Sequence, residues 1–560
     1  MSERVMGAGR AVAEALQAEG VDRIYCLPGS HVLEIYDALA DRPAIRLLTC
    51  KLESSISLMA DIHGRLTGEP GVCLVTAGPG AVNSLPGVAQ AYDAASPLVH
   101  ISGAVPLDGA REAFHGVDDP DFTLRMFRDV TKWSVRAERI EAIPEIFARA
   151  FQVARGGRPG PVHIEVPRES NTGRHLITSR PAAVPPYRRL AGNARAPAHD
   201  DAARAAERLA RAHRPVIAAG KGVLRTGATE PLAALAERLA APVIYPQDAI
   251  GVIRDDHPWA AGFFALWSLS PFFTGLLEEA DVLLSVGLRA GTATSNLLAA
   301  RAPAEHIFVD FGEDGTVPPS ASLSLAADPG PFLRALLGEP GLGVRHDPAR
   351  RARLAAMRRA HREGMEGIVE RHRGARPIHP GVAVRALAEA LDEDAVVVSD
   401  VGNCAIWLRN LLPVRHPHAH LQSGMWNAMG LALPSAIAAK LAFPRRQAVG
   451  VVGDGALLMS LGEFGTALEQ ETAIVLLVLN DGAYGMIQKL QTQAFGRAVG
   501  CQFRSLDFAA LARGFGGAGL RVEDPAGLAP ALRAALDAGV PAVVDVVTGD
   551  YPYPDFELSR

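Results

Sequence analysis

Ten short segments rich in Val, Ile and Leu recur along the chain, and they limit the fold more than any other feature. They lie at 71–78 and 96–103, at 215–222, 241–246, 281–287 and 306–311, and at 394–402, 447–455, 473–480 and 541–547. Such unbroken apolar runs, separated by helical patterns, have no wet face. They predict parallel strands covered by helices on both sides. Two stretches interrupt the series: 179–200, with Pro181, Pro185, Pro186 and Pro197, and about 338–380. Proline at that density excludes a helix or inner strand. The expected architecture is α/β: three open, mainly parallel-sheet domains over 1–180, 200–337 and 376–560. In such sheets ligands bind at the carboxyl ends of strands. Within the second linker, Leu354, Met357, His361, Met365 and Ile368 predict one helix with a solvated basic face.

Composition removes several functional classes. Only five of 56 basic residues are Lys (Lys51, Lys132, Lys221, Lys440, Lys489), and an arginine excess can signal phosphate or nucleic-acid binding. Here 61 acidic residues outnumber the bases and the arginines are scattered, so no nucleic-acid partner is expected. The five cysteines (Cys26, Cys50, Cys73, Cys404, Cys501) form no C-x-x-C pair, so neither a disulfide frame nor a zinc knuckle is predicted. No apolar run approaches the roughly 18 residues of a membrane span. The opening MSERVMGAGRAVAEALQ lacks an apolar core with a cleavage signal. The expectation is a cytoplasmic protein without a membrane partner.

The segment 448–485 carries the chemistry. One buried strand ends at Gly453-Asp454-Gly455; Ser460-Leu-Gly-Glu463 reads as a capping box opening a helix; a second strand ends at Asn480-Asp481-Gly482. In a right-handed βαβ unit the two strand ends lie side by side, so Asp454 and Asp481, 27 residues apart, can converge. Two carboxylates beside glycines suit a hard divalent cation holding a phosphate. As bare turns GDG and NDG would mean little; at this spacing, each closing an apolar strand, they mean more.

With these residues the chain resembles the thiamine diphosphate (ThDP) enzymes of the acetolactate synthase, benzoylformate decarboxylase and benzaldehyde lyase type, and most of all the acetolactate synthase large subunits. The family signature is GDG followed after some 25 residues by Asn-Asn or Asn-Asp. The resemblance implies that Asp454, Asp481 and the carbonyl of Ala483 bind Mg²⁺, with Gly453, Gly455, Ala456, Tyr484 and Gly485 around the cofactor diphosphate. Asp481 stands where Asn is more usual and adds a negative charge. GVDRIYCLPGSHVLEIYDAL is similar to the family's opening segment, with Pro28-Gly29 in its turn. In CKLESSISLMADIHGRLTGEPGVCLVTAGPGAVN, Glu53 falls at the catalytic glutamate. Leu52, Ile56, Met59, His63 and Leu66 predict a helix carrying it near the start.

A glutamate bonded to N1′ of the aminopyrimidine favours the imino tautomer that deprotonates thiazolium C2, so the resemblance requires Glu53 in a nearly dry place where it shares a proton. SGMWNAMGLALPSAIAAKLA (423–442) is similar to the segment that bends the cofactor, with Met429 under the bend and the backbone of Asn427 and Met429 at the pyrimidine. SDVGNCAIW matches the diphosphate loop, giving Gly402 and Asn403. Gly78-Pro79-Gly80 and Phe114-His115 match parts that face the partner subunit's cofactor, so the resemblance implies a homodimer or homotetramer with sites between chains. Acetolactate synthases have Phe-Gln where His115 stands. A histidine there suits either proton relay or a structural hydrogen bond.

Other features point elsewhere or depart from the pattern. GFGGAG (514–519) fits a dinucleotide motif but follows a helical pattern and precedes a strand, so a helix end and a turn are predicted. His416, His418 and His420 alternate without further ligands, and surface positions are expected. In GLRAGTATSN (287–296) Arg289 keeps the first arginine of the family's FAD-binding stretch, but Ala293 takes the place of the second. Leu490 replaces the acceptor-contacting tryptophan. Both changes count against FAD and against a second 2-oxo acid as acceptor. GKGVLRTGA leaves nucleotide binding by the central domain open. The implied function is ThDP- and Mg²⁺-dependent decarboxylation of a 2-oxo acid, with ligation of the enamine to an aldehyde, 2-oxo acid or acyl-CoA acceptor. The alternatives are a non-ligating decarboxylase and an acyloin or 2-hydroxyacyl-CoA lyase. A catalytically silent paralogue would have lost Glu53 or the metal ligands, and all are present.

Overall fold

The computed structural model describes residues 3–104, 115–117, 119–167, 181–190, 194–264, 271–313 and 315–554. Three six-stranded sheets, each parallel throughout, carry helices, as the apolar runs predict. The chain forms two compact units. The first comprises Met1–Asn193, Met425–Pro444 and Met459–Thr472; the second comprises Ala194–Gly424, Arg445–Leu458 and Ala473–Arg560.

The first unit's sheet runs Arg46–Thr49, Arg23–Cys26, Gly71–Val75, Leu98–Ala104, Pro161–Pro167, Trp133–Arg136. After Arg23–Cys26 the chain adds a strand on one side, then crosses to add Gly71–Val75 on the other. At such a reversal the loops leaving the two strands diverge and open a crevice at their carboxyl ends. Pro28-Gly29 and Thr76–Gly78 lie in those loops, and helix Pro79–Asp93 follows the second.

The second unit holds two sheets with the same reversal. One runs Ala260–Phe264, Val243–Pro246, Pro215–Ala219, Val282–Val286, Glu305–Asp310, Leu323–Ala326, and reverses between Pro215–Ala219 and Val282–Val286. There the backbones meet: Gly222 N–H donates to Gly287 O at 3.0 Å, and a Cβ on Gly220 would lie 2.1 Å from that oxygen. The other runs His420–Leu421, Val396–Ser399, Ala448–Gly453, Val475–Asn480, Ala542–Val547, Ala518–Val522, and reverses between Val396–Ser399 and Ala448–Gly453. The segments released there are the loop Asp400–Gly402 and the short helix Asp454–Leu457. Each sheet carries its own buried aliphatic core.

The second linker contains the expected helix, Pro348–Arg371, with Leu354, Met365 and Val369 buried. GFGGAG is a helix end and turn: Phe508–Phe515 stops at Gly516 in the left-handed region, φ 102°, before Ala518–Val522. Two expectations need correction. Ser460 does not cap a helix; Glu463–Glu469 starts after Gly462 without a side-chain cap, and the Glu463 carboxylate bonds elsewhere. Nor are the three histidines on the surface. His420 is 3% exposed on the sheet's edge strand, with Nε2 3.1 Å from Ser399 Oγ, and His416 and His418 are half-buried. Burial pushes the His420 imidazole down to about 3.

Candidate active site

The first unit gathers its candidate residues around Glu53. Helix Glu53–Thr67 begins at Glu53 and is buried over nearly its whole length. It lies close against helix Pro79–Asp93, because Gly87 brings that backbone onto Ser57: a Cβ there would sit 2.2 Å from Ser57 Oγ. Glu53 is 9% exposed, and Asn83 Nδ2 donates to its Oε2 at 3.2 Å. Thr76 is the hub of the crevice. A Cβ on Gly29 would meet Thr76 Cβ at 2.4 Å, and one on Gly80 would meet Thr76 Cγ2 at 2.8 Å and Glu53 Oε1 at 3.5 Å. Glycine is therefore demanded at both positions by close approach. Pro28-Gly29, Gly80 and Glu53 thus converge on one place.

His115 joins them. Gly78, at φ 58°, leaves room for the His115 carbonyl, which a Cβ would approach to 2.1 Å. Its ring stacks on His31 at 4.9 Å between centroids. Phe114 lies outside the described residues. The loop before helix Ala432–Ala442 belongs to the same unit. Asp93 Oδ2 accepts the Met425 N–H at 3.0 Å, Asn427 adopts φ 55°, and the Met429 and Trp426 side chains are exposed by 36% and 52%. Large apolar side chains held out on a strained loop are available to a ligand or partner.

The second unit gathers its candidate residues around Asp454 and Asp481. Asp454, 1% exposed, follows the strand end at Gly453 and accepts N–H bonds from Gly455 (2.8 Å) and Gly482 (2.7 Å). The latter bond ties it to the loop of the neighbouring strand, which carries Asp481. A Cβ on Gly485 would lie 2.6 Å from both Asp481 Oδ2 and Asn403 Nδ2. The Asn403–Leu411 helix starts there from Gly402, φ 139°. Gly455 is packed by Tyr484, whose ring also meets Phe503 edge-on at 5.1 Å. Ala456 is buried, and Ala483 forms an isolated bridge with Gln502. A cavity of about 290 Å³ opens beside Asp481, lined by Gly482, Ala483, Gly485, Gln488 and Phe503.

Desolvation pushes both carboxyls up, Asp454 to about 6 and Asp481 to about 6, the latter also through the Asp454 charge. A buried and a half-buried carboxylate that repel one another call for a cation. Among the described residues no group of three or more His, Cys, Asp or Glu side chains is placed to hold a metal. Two carboxylates and the Ala483 carbonyl still fit Mg²⁺, which takes few protein ligands and completes its shell with phosphate and water. The first N–H groups of the Asn403–Leu411 helix suit an anion.

Five further residues enter through the fold: Asn83 on Glu53, Asp93 under the Met429 loop, His31 against His115, Glu463 and Lys489. The Asp481 charge acts on Lys489, which ion-pairs with Asp550 and lies 5.4 Å from the Tyr553 ring; Tyr553 in turn donates to Asn403 Oδ1. Lys489 therefore offsets part of the charge that Asp adds where Asn is usual. Its visible signals are its rarity and its place one helical turn beyond Gly485. At the departures, Leu490 is 45% exposed on a helix with no buried residue, and Ala293 is an exposed first helical residue.

A nearly dry glutamate in the first unit and, in the second, a carboxylate pair beside a helix N-terminus are groups of the kind that the resemblance to thiamine diphosphate enzymes calls for. The N-terminal binding domain of the thiamine pyrophosphate enzymes matches residues 6–122, their central domain 202–336, and their C-terminal binding domain 400–546. The chain belongs to this family. It is 32% identical to the probable acetolactate synthase large subunit of Methanocaldococcus jannaschii, over 97% of this chain and 92% of that one. It is 28% identical to acetolactate synthase isozyme 1 large subunit of Escherichia coli, over 90% and 87%. It is also 32% identical to the probable 2-ketoarginine decarboxylase AruI of Pseudomonas aeruginosa, over 92% and 89%. The protein is a ThDP-dependent carboligase or decarboxylase, similar to acetolactate synthases.

Proposed function

We propose that the chain decarboxylates a 2-oxo acid and ligates the remaining fragment to an acceptor, with Mg²⁺ holding the cofactor diphosphate. The observation that supports this most is Glu53, nearly dry and oriented by Asn83, in a chain that also pairs Asp454 with Asp481. When bound, thiamine diphosphate would supply a nucleophilic C2 carbon, once deprotonated, and a thiazolium able to take up the electron pair left by CO₂. Glu53 holds or yields a proton at the aminopyrimidine N1′, and the Asn83 bond to Oε2 leaves Oε1 free for that contact. Asp454, Asp481 and the Ala483 carbonyl would hold the metal. Gly402, Asn403, Gly453, Gly455, Ala456, Tyr484 and Gly485 cradle the diphosphate, while Asn427 and Met429 support the ring pair. His115, stacked on His31, stands where protons pass to or from the substrate.

Domain limits near 1–180, 200–337 and 376–560, a homodimer or homotetramer with shared sites, and cytoplasmic placement belong to the same reading. Five buried free cysteines suit a reducing compartment. No described helix is long and apolar enough to cross a membrane. A second reading, decarboxylation without ligation, draws on Ala293 and Leu490, and it keeps FAD out of the reaction. Incubation with pyruvate and a panel of aldehydes, followed by mass spectrometry, separates the two. An acyloin or acetolactate supports ligation; free aldehyde alone overturns it. Glu53→Gln should bind cofactor yet lose most turnover, and full turnover by that variant removes Glu53 from catalysis.

A further inference from the structure

Helix Glu53–Thr67 lacks a cap of its own. Leu52 occupies the N-cap position in an extended conformation, and its side chain accepts nothing. The N–H groups at the start of a helix have no acceptor within it. The acceptor comes from 411 residues away: Glu463 Oε1 takes the N–H of Leu52 at 3.0 Å and that of Lys51 at 3.0 Å. Glu463 is 1% exposed, and its Oε2 is fixed by the Thr466 hydroxyl at 2.7 Å. The same short helix grips the same segment twice more. Glu469 pairs with Lys51 Nζ at 2.6 Å, and Gln470 Oε1 accepts from Arg46 at 2.7 Å. Gly462 and Gly465 present no side chains there, so the Lys51 stem lies across them.

We infer that Glu463 is a positioning residue for catalysis: a carboxylate supplied from a distant element holds the N–H groups of Lys51 and of the N-cap residue Leu52, and so fixes where Glu53 stands. The inference rests on the reading of Glu53 as the group at the aminopyrimidine. A charge-assisted acceptor at this point holds two backbone amides and favours the helix dipole. Glu53 is the next residue, so its Cα inherits that register. Asn83 then orients the carboxyl. Misplacing a reacting group by about 1 Å costs roughly 100-fold in rate, although Glu463 touches neither substrate nor cofactor in this reading.

The test uses the full-length holoenzyme. Glu463→Ala should lower kcat by about 10- to 100-fold, with substrate KM and calorimetric cofactor affinity held within about two-fold. Hydrogen exchange, read by mass spectrometry on a peptide spanning 48–56 without cofactor, should be slow in the wild type and fast in Glu463→Ala. Glu463→Gln keeps an acceptor oxygen and should retain both slow exchange and most of the turnover. Rapid exchange of Lys51 and Leu52 in the wild type overturns the proposal even if the alanine variant fails to fold. So does a loss of KM or cofactor affinity equal to the loss of kcat, or a glutamine variant as impaired as the alanine one. Full turnover by Glu53→Gln would sink the reading of Glu53 while leaving the exchange result standing.

Discussion

Gly485→Ala sets two known effects of one methyl group against each other. Gly485 opens the helix Gly485–Phe495 and does not need a positive φ. On backbone grounds alanine should therefore stabilise that helix by about 0.5–1 kcal/mol. The space argues the other way. The added Cβ would lie 2.6 Å from Asp481 Oδ2 and 2.6 Å from Asn403 Nδ2, where 3.4 Å is ordinary contact, so both groups must retreat by about 0.8 Å (3.4 − 2.6). Metal sites tolerate about 0.2 Å in ligand distance, and disturbing the groups that orient a ligand costs about 10- to 100-fold in metal affinity. The expected result is weaker ThDP and Mg²⁺ binding by about 1.4–2.7 kcal/mol, with apo stability unchanged or slightly raised. Isothermal titration of both proteins, with urea unfolding of the apo forms, measures the two quantities separately. Wild-type affinity in the variant would refute the placement of Asp481 and Asn403 at the diphosphate. A large loss of apo stability would refute the view that the clash is confined to two side-chain ends.

Three other perturbations follow from single contacts. Asn83→Ala frees the Glu53 carboxyl, and the loss of one hydrogen bond to a charged group, about 1.5–3 kcal/mol, should lower kcat by roughly 10- to 100-fold with cofactor affinity intact by calorimetry; unchanged kcat removes Asn83 from the site. Arg65→Ala leaves Asp61, 0% exposed, without the partner it holds at 2.5 Å. Stripping a buried carboxylate of its partner should cost about 3–5 kcal/mol in urea unfolding, and a loss under 1 kcal/mol would show that Asp61 finds another partner. His100 is 0% exposed, and burial pushes its imidazole down to about 3. It gains a proton near the ordinary 6.5 only when unfolded, so its stabilising effect is complete above that pH and is lost as pH falls towards 3. Between pH 6.5 and 5 the loss should reach about 2 kcal/mol, and a His100→Asn variant should show a flatter dependence; equal slopes would refute the neutral buried imidazole.

Much of this molecule is readable in one dimension because its governing rules are local. An apolar run closed by glycine reports a strand buried on both faces, and the structure has a parallel strand at each of the ten runs. GDG and NDG report loops at strand ends, and topology brings such ends together, which is why Asp454 and Asp481 meet. Where the reading failed, a local signal competed with a distant one. Ser460 and Glu463 have the spacing of a capping box, yet Glu463 bonds to Lys51 and Leu52, and no window of sequence contains both partners. The alternating histidines have no further ligands along the chain, which predicts surface positions; His420 is instead buried within the sheet.

Sequence alone therefore marked ten of the strands and the family, and it singled out through short motifs the candidate residues Glu53, Asp454 and Asp481. The tertiary structure decided what holds those residues in place. Asn83 on the Glu53 carboxyl, Asp93 beneath the Met429 loop, His31 against His115, Lys489 beside Asp481 and Glu463 at the head of the glutamate helix are all contacts between elements. Motif residues are constrained by the ligand, so their types and spacing are written along the chain. Supporting residues are constrained only by where the fold brings an oxygen or a cation within about 3 Å of a group that needs it, and that distance exists only once the chain has folded.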